Sequence, residues 1–215
     1  MSTELRGGRA NQKKRTYVAI VDAARDLNGT GGEITMAAVA KSALVSEATA
    51  YRYFPDLVSL LREALTGVWA SPADALEPVA QSGDAAERVA YAAEYLLRGV
   101  LKYQGAVRAM ISATIIRPEA GVTRPGIRFG LIEYALAPLD GTPATASPGA
   151  LAQLKRDLAV VVSAEALFTL TDMCGLPPED AIASAVRTAR TLTEAATRGN
   201  SYPGGQAAAE ARIRR

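Results

Sequence analysis

The sequence predicts an all-α protein, a small three-helix head joined to a larger helical body. Few residues favour strand and no polar–apolar alternation persists, whereas alanine is abundant and apolar residues recur three and four apart. Glycine and proline gather in clusters that cut the chain into pieces of helical length. With 215 residues and 49% apolar content, the chain can bury one compact core, or a small domain beside a larger one.

The elements follow in order. A helix is expected over residues 13–28, ended by the turn Gly29-Thr30-Gly31-Gly32. Two short helices around a tight turn are expected over 35–54, TMAAVAKSALVSEATAYRYF. Thr35 is placed to cap the first and Ser46 the second. Val39, Val45 and Ala50 are spaced to share one small core, and Ala40 and Ala43 are small enough for the helices to approach closely. Pro55 suits the first turn of a fourth helix, which needs no N–H there. Its apolar face is Leu57, Leu60, Leu61, Ala64, Leu65 and Val68; Pro72 ends it, and 71–83 reads as a hinge.

The body is expected to begin at Asp84, an acidic residue suited to a helix start. A helix over 84–103 carries Val89, Ala93, Leu96, Leu97 and Val100. Gly105 separates a shorter helix ending near Ile116, and the Arg117-Pro118 and Ala120-Gly121 signals mark a loop. Another helix is expected over 124–136, followed by a mobile surface loop over 138–148. Two long helices, 151–173 and 179–198, are split by Gly175-Leu176-Pro177-Pro178. The domain expectation is therefore a basic flexible arm (1–12), a head (13–70), a body (84–198) and a flexible tail (199–215).

Composition narrows the function. There is no histidine and one cysteine, so the commonest general base and the commonest zinc and iron ligands are missing. The expectation is no catalytic site, no metal and no cofactor. Cys174 lies in an apolar segment and reads as a small buried residue. No apolar run reaches the roughly 18 residues of a membrane span, and the N-terminus lacks signal-peptide character, so the reading is cytoplasmic with no membrane partner. The net charge is only +2, yet residues 1–15 carry Arg6, Arg9, Lys13, Lys14 and Arg15 against Glu4 alone. A basic arm ahead of two short crossing helices is the electrostatic footprint of a DNA reader. In such a helix-turn-helix the second helix enters the major groove.

At fixed spacing, Thr35, Val39, Ala40, Ala43, Val45, Ser46, Thr49, Tyr51, Tyr53 and Phe54 carry a resemblance. The segment resembles the DNA-binding domain of the TetR family of bacterial transcriptional regulators. Upstream, Ile20-Val21, Ala23-Ala24 and Leu27 fit the same pattern, so the resemblance covers about the first third of the chain. It implies a DNA-binding set of Lys13, Lys14, Arg15, Thr35, Lys41, Ser46, Glu47, Ala48, Thr49, Tyr51, Arg52 and Tyr53. Lys13, Lys14, Arg15, Thr35, Lys41, Tyr51 and Tyr53 would hold phosphates; Glu47, Ala48, Thr49 and Arg52 would reach base edges. Four positions depart from the family pattern. Leu44 replaces the turn glycine and has to accept a left-handed backbone, Ala48 and Ala50 replace a glycine and a leucine, Asn28 replaces an apolar aromatic, and Leu57 replaces a lysine.

The resemblance also implies that the last two helices dimerise and that an effector cavity lies among the body helices. Leu158, Val162, Ile182, Ala185, Val186 and Ala189 are the expected dimer seam, because small residues let helices pack closely. Tyr91, Tyr95, Tyr103, Met110, Thr114, Phe129, Glu133 and Tyr134 are the expected ligand-binding set, since aromatics and methionine with a few polar tips build such pockets. Each aromatic taken singly is more often core than ligand contact. Glu133 either meets a cationic ligand or pairs with Arg128 or Arg117 at the surface. The expected function is a homodimeric repressor bound to a palindromic double-stranded operator and released by a small-molecule effector. A regulator of the same fold controlled by a protein partner or by concentration stands second, and a helical enzyme or interaction module third.

Overall fold

The computed structural model describes residues 2–29, 34–116, 126–142 and 149–198, with side chains from Asn11 onward. Among the described residues every regular element is helical, and the chain divides into two compact units. The first comprises Met1–Ser71 and Arg98–Gly126, the second Pro72–Leu97 and Ile127–Arg215. The first division falls at Ser71, the start of the expected 71–83 hinge segment. The first unit also takes in the segment after Leu97, which lies within the span 84–198 expected as the body.

In the first unit, α1 runs over Ser2–Asn28, α2 over Met36–Ser42, α3 over Glu47–Tyr53, α4 over Leu57–Leu65 and α7 over Gln104–Ile116. The helix α1 starts well before residue 13, so the segment expected as a flexible arm has helical backbone. Ile20, Val21, Ala24 and Asn28 recur at three and four and are buried, which puts one face of α1 on the core. That core also holds Val39 of α2, Ala50 of α3, Leu60, Leu61 and Ala64 of α4, and Ala106 and Met110 of α7. Each fully buried leucine contributes about 1.5–3 kcal/mol. Leu57 packs against this cluster too, which gives an apolar role to the position where the family pattern has lysine.

The helix ends explain the local fold. Thr35 accepts from the Ala38 N–H at 3.1 Å, and the Ser46 hydroxyl accepts from the Thr49 N–H at 3.1 Å, as the two expected caps. The fourth helix corrects the expectation: its cap is Asp56, whose Oδ1 accepts from the Ser59 N–H at 2.7 Å, and Pro55 stands outside the helix. It ends at Leu65, well before Pro72, where Gly67 takes a left-handed φ of 76°. Arg25 reaches from α1 to cap it, donating to the Ala64 carbonyl at 3.0 Å. After α4, Trp69 lies over Gly99; a Cβ there would sit 2.3 Å from the indole ring, so only glycine admits this approach.

The turn between α2 and α3 is closed by two bonds. The Val45 N–H donates to the Ala40 carbonyl at 3.0 Å and the Leu44 N–H to the Lys41 carbonyl at 3.2 Å. This is a Schellman motif, and it needs a left-handed residue at position 44. Leu44 supplies it with φ 56°, the conformation expected of it from the sequence. A side chain with a β-carbon there costs about 1–2 kcal/mol.

The second unit contains α5 (Pro72–Ala75), most of α6 (Ala85–Lys102), α8 (Ile127–Leu136), α9 (Ala150–Val161), α10 (Ala164–Phe168) and α11 (Pro178–Thr197), with a short 3-10 turn at Glu77–Val79 and another at Ala137–Leu139. Asp84 caps α6 as expected, accepting from the Ala86 N–H at 2.8 Å. The expected long helix over 151–173 is broken. Val162 leaves helical geometry at ψ 68°, and Ser163 restarts the chain by capping α10 through the Ala166 N–H at 3.1 Å. A π-helical turn over Thr169–Met173 follows. The tail over 199–215 and the loops over 117–125 and 143–148 lie outside the described residues.

Candidate nucleic-acid interface

Local packing decides which side chains α3 presents. Ala50 is fully buried against α2, and Tyr53 packs against the head core, so the opposite face must point outward. That face carries Glu47, Ala48, Tyr51 and Arg52, all exposed, with exposed Ser46 at its start. Thr49 is half-buried and its hydroxyl lies 2.8 Å from that of Ser46, so it braces the cap more than it reaches outward. The Arg52 guanidinium rests 5.7 Å from the centre of the Tyr53 ring, a surface cation–π contact of about 0.5–1 kcal/mol that a base or phosphate would easily replace.

The basic and hydroxyl groups around this face are also in water. Lys13, Lys14 and Arg15 are exposed on α1, Lys41 on the last turn of α2, and Thr35 at the start of α2. Thr35 uses an oxygen lone pair for its cap and keeps its O–H proton to donate. All twelve residues of the expected DNA-binding set thus fall in the first unit, and ten of them are exposed, Thr49 and Tyr53 being half-buried. Beneath them, Tyr17 stacks on Phe54 with ring centres 5.2 Å apart. Burial, then a hydrogen bond and repulsion from the Glu63 carboxylate, push the Tyr17 hydroxyl above its ordinary pKa, with Arg25 acting in the opposite sense. Tyr17 is a support that the sequence reading missed; its spacing of three from Ile20 was the available signal.

The other two expected sites fare differently. Of the ligand-binding set, Tyr103, Met110 and Thr114 lie in the first unit, and Tyr91, Tyr95, Phe129, Glu133 and Tyr134 in the second. Met110 is buried in the head core with Tyr103 packed on it, because α7 belongs to the head. Glu133 forms a surface ion pair with Lys155 at 3.0 Å, while Arg128 pairs with Glu165 at 3.5 Å and Arg117 lies outside the described residues. Phe129 is exposed beneath the Arg128 guanidinium. Tyr134 stacks on Arg88, leaving Tyr91 and Tyr95 on α6 as half-buried aromatics.

The expected dimer seam needs correction. Leu158, Val162, Ile182, Ala185 and Ala189 are buried within a single chain, and Val186 is half-buried. They are covered because α11 packs on α9 of its own unit, so their surface is already spent. Cys174 is likewise corrected, being exposed after the π turn.

Arg88 is the residue that sequence reading missed most clearly. It is buried, and it donates to the carbonyls of Tyr134 at 2.7 Å, Ala80 at 2.8 Å and Ala135 at 3.2 Å. Two of these oxygens end α8, where helix carbonyls lack partners and favour a cation. Its register was the signal, since Arg88 lies on the apolar stripe between Ala85 and Ala92. Among the described residues, no group of three or more His, Cys, Asp or Glu is disposed to hold a metal ion, and no helix is long and apolar enough to cross a membrane.

A solved structure, the crystal structure of a TetR transcriptional regulator from Rhodococcus sp. RHA1, matches 84% of this chain and 97% of its own, with a TM-score of 0.50 and 21% identity. The chain has a TetR-like fold. No protein-family model and no curated protein sequence matches it. At this identity the likeness fixes the TetR-like arrangement of helices, and the chemistry has to come from the chain's own side chains.

Proposed function

We propose that the protein is a DNA-binding transcriptional regulator that acts as a homodimer, a repressor released from a palindromic operator by a small-molecule effector. The observation that carries this reading is the outward face of α3, where Glu47, Ala48, Tyr51 and Arg52 project from a helix held by two caps and a buried alanine. Each α3 would lie in a major groove, the two heads roughly 34–36 Å apart, one helical turn of DNA. Arg52 suits a guanine edge and Ala48 a thymine methyl, while Lys13, Lys14, Arg15, Lys41, Thr35, Tyr51 and Tyr53 neutralise or bind phosphates. The seam belongs on the face of α11 that its own chain leaves open, around Ala183, Arg187, Arg190 and Thr191. An effector shifts DNA affinity only through unequal binding to two arrangements of the heads.

One observation favours the same regulator without an effector: Met110, Phe129 and Glu133 of the expected pocket are committed to core, solvent and an ion pair. Selection of bound sequences from a random DNA pool tests the shared part of both readings. It should return a palindrome, bound with an affinity that falls steeply with salt as counterions are released. No enriched sequence would overturn DNA reading. A thermal-shift screen of small molecules, repeated with the selected duplex, then separates the two versions.

A further inference from the structure

Leu44 combines two unfavourable features at one position. It is the non-glycine residue with a left-handed backbone among those described, and its side chain is 93% exposed. The Schellman bonds that end α2 require that backbone, but they require no side chain. Glycine or asparagine would satisfy them with less strain, and neither would hold an isobutyl group in water. With so little of the leucine against protein, its own head gains almost nothing from it.

Its place gives the side chain a use. Leu44 stands two residues ahead of Ser46, the cap of α3, in a surface run of exposed positions formed by Lys41, Ser42, Leu44, Ser46, Glu47 and Ala48. The other members are polar, charged or small; Leu44 is the large apolar one. That run leads directly into the α3 face assigned to base edges. The apolar group that base edges offer in a major groove is the C5 methyl of thymine.

We infer that Leu44 is a specificity-determining residue whose isobutyl group covers a thymine methyl at one position of each half-site. The apolar surface left in water by the free protein is then buried in the complex, and the strained backbone holds it ahead of α3. This rests on the DNA-binding reading proposed above.

The test uses the full chain, its Leu44→Gly and Leu44→Asn variants, and the duplex selected by the wild-type protein. A second set of duplexes carries deoxyuridine for thymidine, one position per half-site at a time, which removes only the methyl. Leu44→Gly should raise the melting temperature by about 2–4 °C, because strain of the expected size is relieved. It should nonetheless weaken binding of the selected duplex about fivefold or more, as expected for loss of a partly buried leucine. One deoxyuridine position should weaken the wild type by a similar factor and leave both variants unaffected.

A higher melting temperature with unchanged affinity would overturn the inference. So would deoxyuridine effects that are the same in wild type and variants, a selected half-site without a coupled thymidine, or a lower melting temperature in both variants. A change in sedimenting mass without deoxyuridine coupling would assign Leu44 to a second copy of the chain instead. Wild-type protein that selects no DNA would overturn the DNA reading itself, and this inference with it.

Discussion

Ala189→Glu separates intrachain core from intersubunit seam in one measurement. Ala189 is fully buried on α11, and with Ala181 and Ala185 it forms a ridge of small side chains against its own unit. A glutamate there has two costs. Its extra atoms overpack a close helix contact, at about 1–3 kcal/mol. Its carboxylate must also be buried without a cation or taken up protonated, at several kcal/mol more. The sum, about 5 kcal/mol or above, rivals the whole stability of an ordinary domain, about 5–15 kcal/mol. At about 2–4 °C per kcal/mol for a chain of this size, the melt should move by 10 °C or more, or vanish. Ala183→Glu is the control, because Ala183 is exposed on the same helix and its carboxylate stays in water. Circular dichroism melts and sedimentation at micromolar concentration read both variants. Ala189→Glu should lose cooperative helical melting. Ala183→Glu should keep the melt, and if the seam uses that face it should sediment as a monomer. A folded, fully helical monomer from Ala189→Glu would refute the reasoning and return the ridge to the partner.

Three further outcomes follow. Arg88→Met should lower the melting temperature by roughly 4 °C or more, since it strips one buried and two part-buried carbonyls of a charged donor, the buried one at about 1–3 kcal/mol and the others at less; a shift within about 2 °C, measured in the same melts, would mean that the carbonyls find other partners. Asn28→Leu should raise it by about 2–4 °C, because the buried Asn28 Oδ1 has no hydrogen-bond partner among the described residues; an unchanged or lower value would mean that the amide is satisfied or the site too tight. Arg52→Ala should weaken the selected duplex by about 1–3 kcal/mol and relax one position of each half-site, whereas Tyr51→Phe should weaken all duplexes alike. Equal losses on selected and random DNA would make Arg52 a phosphate contact only.

The head was legible because its decisive features are local. A threonine or serine three residues ahead of an N–H it can bond, as at Thr35 and Ser46, is visible in the chain itself. So is a leucine in a turn that the backbone can close only through a left-handed residue, as at Leu44. Local rules failed where two candidates competed. Pro55 and Asp56 both suit a helix start, and Asp56 prevailed because its carboxylate satisfies an N–H, while proline merely tolerates the lack of one. Ser163 falls inside the helix expected over 151–173, because apolar spacing continues on both sides of it. Its hydroxyl instead starts a new helix, and the periodicity survives the break.

The body was less legible for a different reason. An apolar or alanine-rich stripe says that a surface is buried, but nothing in its spacing says by whom. The ridge of Ala181, Ala185 and Ala189 fits an intersubunit seam and an intrachain contact equally well until the position of α9 is known. The same ambiguity holds for Met110: its spacing on α7 marks it as inward-facing, and only the packing of α7 on α1 and α4 places it in the head core. Arg88 is the converse case. A charge on an apolar stripe is tolerable in the interior wherever the ends of other elements leave carbonyls to receive it. Where one helix supplies the cation and another the unpaired carbonyls, the interaction is nonlocal by construction, and no reading of either segment alone contains it.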